Sequence, residues 1–167
     1  MKFLNCFRSI LATAVLAISS NAAPVKIPTK PSAEEYSSLP RTGTGSVSGE
    51  VTARTKGGTL KSVAGLSAHL DPVTPYSIEV YKALRTHGAF DAEKEAETFK
   101  FDPAMLAVRR SVRIDNQNKF KISKMPDGEY FAACYVRWMV SNGNYSGSWH
   151  VRRVRIRNGQ PVADIIL

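Results

Sequence analysis

The chain has 167 residues, a formal charge of +9 from 23 Lys and Arg against 14 Asp and Glu, and two cysteines. That length suits one domain with an adequate core. Cys134 is the sole cysteine beyond the amino-terminal segment, which excludes an internal disulfide, and no stretch beyond that segment is apolar enough to span a bilayer.

Residues 1–22 read as a cleavable secretory signal. Lys2 and Arg8 make a basic start, and Ile10 to Ile18 is an apolar run of nine residues. Such a run is too short for the ~20 residues a membrane span needs. Ser20 and Ala22 offer small residues at the −3 and −1 positions of a cleavage site, and cleavage after Ala23 is the second choice. The chain is therefore expected to be exported, periplasmic or secreted, with no transmembrane segment left after cleavage. Losing Lys2 and Arg8 lowers the charge from +9 to +7. An exported basic domain points to an anionic envelope polymer, lipid head groups or another exported protein as partner, and its compartment argues against nucleic acid.

Residues 23–44 carry Pro24, Pro28, Pro31 and Pro40 with little to bury, and read as a Pro-rich disordered tether. The domain proper spans 45–167. Val47, Val51 and Ala53 alternate with polar residues as a half-buried strand; Lys56 to Thr59 is a turn; Leu66, Ala68 and Leu70 form a second strand ended by Pro72. Residues 74–107 read as an insertion. It holds one short helix over Ile78 to Arg85, stopped by Gly88, and a second helical stretch over Asp91 to Glu97 with Asp91 as a possible N-cap.

From 108 onward the alternation sharpens. Val108, Val112 and Ile114 make a strand, Asn116 to Asn118 a turn, Phe120 and Ile122 a strand, and Pro126-Asp127-Gly128 a turn. Tyr130 to Val140 is a long strand, with Tyr130, Ala132, Cys134, Val136 and Trp138 on the core face. Ser141 to Gly147 is a loop. Trp149 and Val151 then lie on one parity and Val154 and Ile156 on the other, which predicts a β-bulge near Arg152-Arg153. Asn158-Gly159 signals a hairpin into a last strand, Val162 to Leu167. Turns every eight to twelve residues predict an all-β, Ig-like sandwich or barrel of about seven strands with a short helical insertion.

The segment Asp115 to Tyr130 (DNQNKFKISKMPDGEY) resembles the middle of the carboxypeptidase regulatory-like domain, a transthyretin-like seven-stranded sandwich. There an Asp, a turn, a Phe-x-Phe/Ile strand and a Leu-Pro-x-Gly-x-Tyr corner follow in this order; here Met125 stands for the Leu. Gly49-x-Val51, Gly57-Gly58 and Ala64 to Pro72 match its opening loosely. The resemblance implies an accessory domain beside a peptidase, transporter or adhesin. The insertion at 74–107 departs from it.

The sequence holds no His-x-x-Glu or His-Glu-x-x-His pair, no Gly-x-Ser-x-Gly elbow and no Ser-x-x-Lys. His69 and Asp71 share a strand face, and exposed strand residues are the simpler reading than two metal ligands. No catalytic residue, metal or cofactor is expected. Two features suggest binding. A basic set, Arg109, Arg113, Lys119, Lys121, Arg152, Arg153, Arg155 and Arg157, would form a cationic stripe if its strands are neighbours. Tyr135 and Tyr145 offer rings for sugar stacking. The expected function is an exported, non-enzymatic β-sandwich that binds or scaffolds an anionic envelope component or partner protein. A neutral carbohydrate-binding module comes second. Third is a small hydrolase using the insertion carboxylates Asp91, Glu93, Glu95 and Glu97.

Overall fold

The computed structural model describes residues 30–55, 57–86, 101–141 and 144–167. In chain order the elements are α1 (Ala33–Ser37), β1 (Gly45–Glu50), β2 (Ala53–Arg54), β3 (Leu60–Lys61), β4 (Ser67–Pro72), α2 (Pro75–Thr86), α3 (Pro103–Val108), β5 (Arg110–Arg113), β6 (Lys119–Met125), β7 (Gly128–Ser141), β8 (Asn144–Ile156) and β9 (Pro161–Ile166). One sheet runs β6-β1-β9, a second runs β5-β4-β7-β8, and β2-β3 is a small separate ladder. The all-β sandwich expected from the alternation is therefore present, with nine strands among the described residues.

The core lies between the two larger sheets. Val47 of β1, Phe120 and Ile122 of β6, Leu70 of β4, Tyr130, Ala132, Cys134 and Val136 of β7, and Val154 and Ile156 of β8 meet there. The Pro126-to-Tyr130 corner behaves as its residues demand. Gly128 sits at φ +153°, a conformation that side chains disfavour, and the buried Tyr130 donates its hydroxyl hydrogen to the Pro126 carbonyl at 2.9 Å. Cys134 is buried against this core, and burial pushes its thiol up to about 12, far from reactivity.

A third layer was not anticipated. The outer face of the four-stranded sheet is covered by the helices, which place Tyr36, Tyr76, Val80, Tyr81, Leu84 and Met105 over Ala133. This layer accounts for the two apolar parities of β8. Trp149 and Val151 pack under the helices, whereas Val154 and Ile156 enter the sandwich. The predicted bulge at Arg152-Arg153 is absent: the β7–β8 register runs unbroken from Gly128↔Ile156 to Met139↔Tyr145. A strand buried on both faces needs no shift to be apolar on both. The predicted loop Ser141 to Gly147 is likewise mostly strand, because β7 runs to Ser141 and β8 starts at Asn144.

The tether expected over 23–44 also needs correction where it is described. Ser32 caps α1, and Tyr36 is only 2% exposed, its hydroxyl 2.9 Å from that of Thr74. Thr74 and Ser77 cap α2 reciprocally, each side chain accepting the other's amide hydrogen, and Glu35 accepts from Tyr76 N–H at 3.0 Å. The amino-terminal segment thus seals the start of α2. In the insertion, α2 covers the helix expected at Ile78 to Arg85, α3 adds a helix capped by Asp102 with Pro103 at its first position, and Asp91 to Glu97 lies outside the described residues.

The turn at Asn158-Gly159 forms, with φ of 53° and 65°, but it does not close a hairpin. Strand β9 pairs in parallel with β1 in the other sheet, so the turn carries the chain across the sandwich. Asp127 holds it there, accepting from the Asn158 and Gly159 amides at 2.7 and 2.8 Å.

Candidate functional site

The helix layer is fastened to the sheet by a buried charge cluster. Asp71 of β4 is fully buried and accepts two hydrogen bonds from Arg109, from Nε and one Nη, each at 2.8 Å. Tyr81 of α2 donates a short hydrogen bond to the same carboxylate. Burial, reinforced by the Asp71 charge, raises the Tyr81 hydroxyl well above its ordinary value and keeps it a donor. Burial opposes the charge of Arg109, but its bonds to Asp71 outweigh that and hold it protonated. The Arg109 guanidinium also lies 4.2 Å over the Phe101 ring. Around this cluster Phe101 meets Trp149 at 5.7 Å, Tyr81 meets Phe131 at 4.8 Å, and Tyr135 meets Trp149 at 5.3 Å between ring centres.

Beside it, α2 and the β7–β8 pair enclose an open groove of about 440 Å³. Phe131 and Val151 contribute from the sheet, Tyr81 and Ile78 from the helix, and Lys82, Arg85 and Arg153 bring positive charge. Ile78 is 43% exposed, so part of its side chain is open to the groove. At the groove mouth Arg153, a lining residue, and Arg155 beyond it both pair with Glu129, and the Arg153 hydrogen bond in particular holds the Glu129 carboxyl below its usual range.

The predicted basic set does not form one stripe. Its strands are not neighbours: β5 and β8 are opposite edges of one sheet, and β6 is an edge of the other. Arg109 is spent inside the Asp71 cluster. Arg113, Lys119 and Lys121 line a separate cleft of about 550 Å³ that also holds Glu50, Asp115 and Asp164, so its charge is mixed. Arg152 lies on the sandwich-side parity of β8, apart from Arg153, Arg155 and Arg157. Arg153 and Arg155 share the helix-side parity and are both engaged by Glu129, whereas Arg157 lies past the end of β8. Tyr135 is packed against Trp149 and over Gly147, where a Cβ would lie 2.9 Å from the Tyr135 hydroxyl oxygen. Tyr145 is a β8 residue opposite Met139 rather than a loop residue.

His69 and Asp71 do not make a pair, because Asp71 is committed to Arg109 and Tyr81. His69 Nδ1 lies 2.8 Å from the Ser111 hydroxyl on β5, and burial, with Arg109 nearby, lowers its pKa to about 4. Among the described residues no group of three or more His, Cys, Asp or Glu side chains is placed to hold a metal ion, and no helix is long and apolar enough to cross a membrane.

Sequence reasoning missed Lys82 and Arg85. Their signal was present: Ile78, Lys82 and Arg85 recur at i, i+4 and i+7, one stripe of α2 next to its buried face of Val80, Tyr81 and Leu84.

These features define the molecule as a β-sandwich backed on one sheet by helices, with a cationic groove at their junction. No protein-family model matches the chain, and no curated protein sequence matches it significantly. Among solved structures, the crystal structure of a proposed carbohydrate-binding protein from Pseudomonas aeruginosa shares the fold, with a TM-score of 0.68 and 22% identity over 85% of this chain and 99% of that one.

Proposed function

We propose that this protein is an exported binding module, without chemistry of its own, that holds an anionic polymer of the cell envelope in the groove between α2 and β8. The observation that carries the reading is the convergence of Lys82, Arg85 and Arg153 around the apolar side chains of Ile78, Phe131 and Val151. Cations above an apolar floor suit a chain that offers both negative charge and a flat hydrophobic ring face. The fold shared with a proposed carbohydrate-binding protein supports a glycan as that chain. Export rests on the secretory pattern of residues 1–22, and the transthyretin-like corner at Pro126 to Tyr130 supports kinship with carboxypeptidase regulatory-like accessory domains.

Titration of the purified protein with an acidic polysaccharide and with neutral dextran, from low to high salt, tests the reading. The acidic polymer is expected to bind, its affinity falling steeply with salt, and K82S/R85S should weaken it about tenfold or more. Salt-independent binding to the neutral polymer would instead favour recognition by stacking alone. Binding to the acidic polymer unaffected by K82S/R85S would place the site elsewhere.

A further inference from the structure

The two β8 arginines at the groove mouth show which anion they accept. Glu129 of β7 lies directly opposite Arg155 in the β7–β8 register and diagonal to Arg153, which is itself opposite Phe131. Each arginine bonds a different oxygen of the same carboxylate, Arg153 one and Arg155 the other. Three cross-strand positions therefore build a two-armed receptor in which each guanidinium meets one oxygen of a single planar carboxylate. One arm, Arg153, is also a wall of the groove. The arginine side chains are 55% and 51% exposed and the Glu129 side chain 25% exposed, so an incoming group can reach the receptor. Exposed ion pairs of this kind are weak, and exchange of one carboxylate for another costs little.

Resting on the groove as the binding site, we propose that its ligand is a carboxylated polysaccharide, of the polyuronate class, and that Glu129 is a placeholder that the ligand's carboxylate displaces. The lining selects the same chemistry. Phe131 and Val151 provide surface for a pyranose ring, while Lys82 and Arg85 on the helix face the next charged units along a chain. An acidic peptide would offer carboxylates without ring faces, and a sulfated chain would offer tetrahedral anions that match the two arms less well.

The test compares the wild type with E129Q, R155Q and, as a charge-matched control on the other sheet, E50Q. Each is titrated with oligogalacturonate, dextran sulfate and poly-L-glutamate. E129Q is expected to bind oligogalacturonate roughly two- to fivefold more tightly, the range in which exposed ion pairs compete. R155Q should bind it less tightly, E50Q should match the wild type, and oligogalacturonate should be preferred to dextran sulfate at equal charge. The proposal is overturned if E129Q leaves the affinity unchanged or lowers it, if E50Q raises it equally, or if dextran sulfate or polyglutamate is preferred. Salt-sensitive binding that K82S/R85S weakens but E129Q does not strengthen overturns this inference and leaves the groove standing. Failure of both wild type and E129Q to bind any of the three polymers overturns the groove and the inference together.

Discussion

Replacing Asp71 by Ala isolates the cluster that fastens the helices to the sheet. The carboxylate is fully buried, and the Arg109 side chain that meets it is 10% exposed. Removing it leaves a guanidinium in low dielectric without its counter-charge and deprives Tyr81 of its acceptor. Breaking a buried pair in this way costs about 3–5 kcal/mol, and the orphaned hydroxyl adds roughly 1 kcal/mol. Against a total stability of about 5–15 kcal/mol, D71A should lose about a quarter or more and melt roughly 10–20 °C lower. The instructive comparison is D71L/R109M/Y81F, which replaces every polar group of the cluster with an apolar one of similar shape. Urea unfolding should place it within about 1–2 kcal/mol of the wild type, since the desolvation penalty vanishes together with the attraction. Two results would refute the reasoning: a D71A loss under about 1 kcal/mol, or a triple variant as unstable as D71A.

His69, lowered to about 4 by burial, is neutral when folded but gains a proton below its ordinary 6.5 when unfolded. The unfolded state therefore binds more protons between those values, and stability present at pH 7 is lost as pH falls through that window. The unfolding free energy from urea titration should drop by about 1–2 kcal/mol from pH 7 to pH 5, allowing for the partly exposed ring. H69Q should flatten that slope, and an unchanged slope in H69Q would assign it elsewhere; His150, also lowered by burial, acts in the same direction. Gly49→Ala would drive a Cβ to 2.0 Å from the Ile165 carbonyl oxygen and separate β1 from β9, at a cost of roughly 2–4 kcal/mol. Gly57→Ala meets nothing nearer than the Thr55 hydroxyl at 3.9 Å, so its thermal midpoint should stay within a degree or two of the wild type.

Period-two alternation determined most strands of the carboxy-terminal half, because side chains that alternate across a strand report which face is apolar without reference to any neighbour; Val108, expected in a strand, instead ends α3, and β5 starts at Arg110. Alternation placed Tyr130, Ala132, Cys134 and Val136 in one core and anticipated the turn at Gly128. It could not say what covers the opposite face. Trp149 and Val151 read as a register problem because the cover over them, α1, α2 and α3, is distant in sequence, and that packing also turned part of a proline-rich tether into a docked segment through Tyr36. Asn158-Gly159 specified a tight turn, but its strands part because β9 finds its partner in β1.

The same division runs through the candidate site. Residue type and parity placed Arg153 and Arg155 on one face of one strand, though Arg157, expected beside them, lies past its end. Whether Arg109, Arg113, Lys119 and Lys121 joined them depended on strand order, which local pattern does not encode, since pairing is chosen by contacts distant in sequence. Tertiary structure separated them into a buried ion pair, a cleft of mixed charge and an outer strand. It also set Lys82 and Arg85 beside Arg153, bringing helix and sheet together around a groove that no single segment contains.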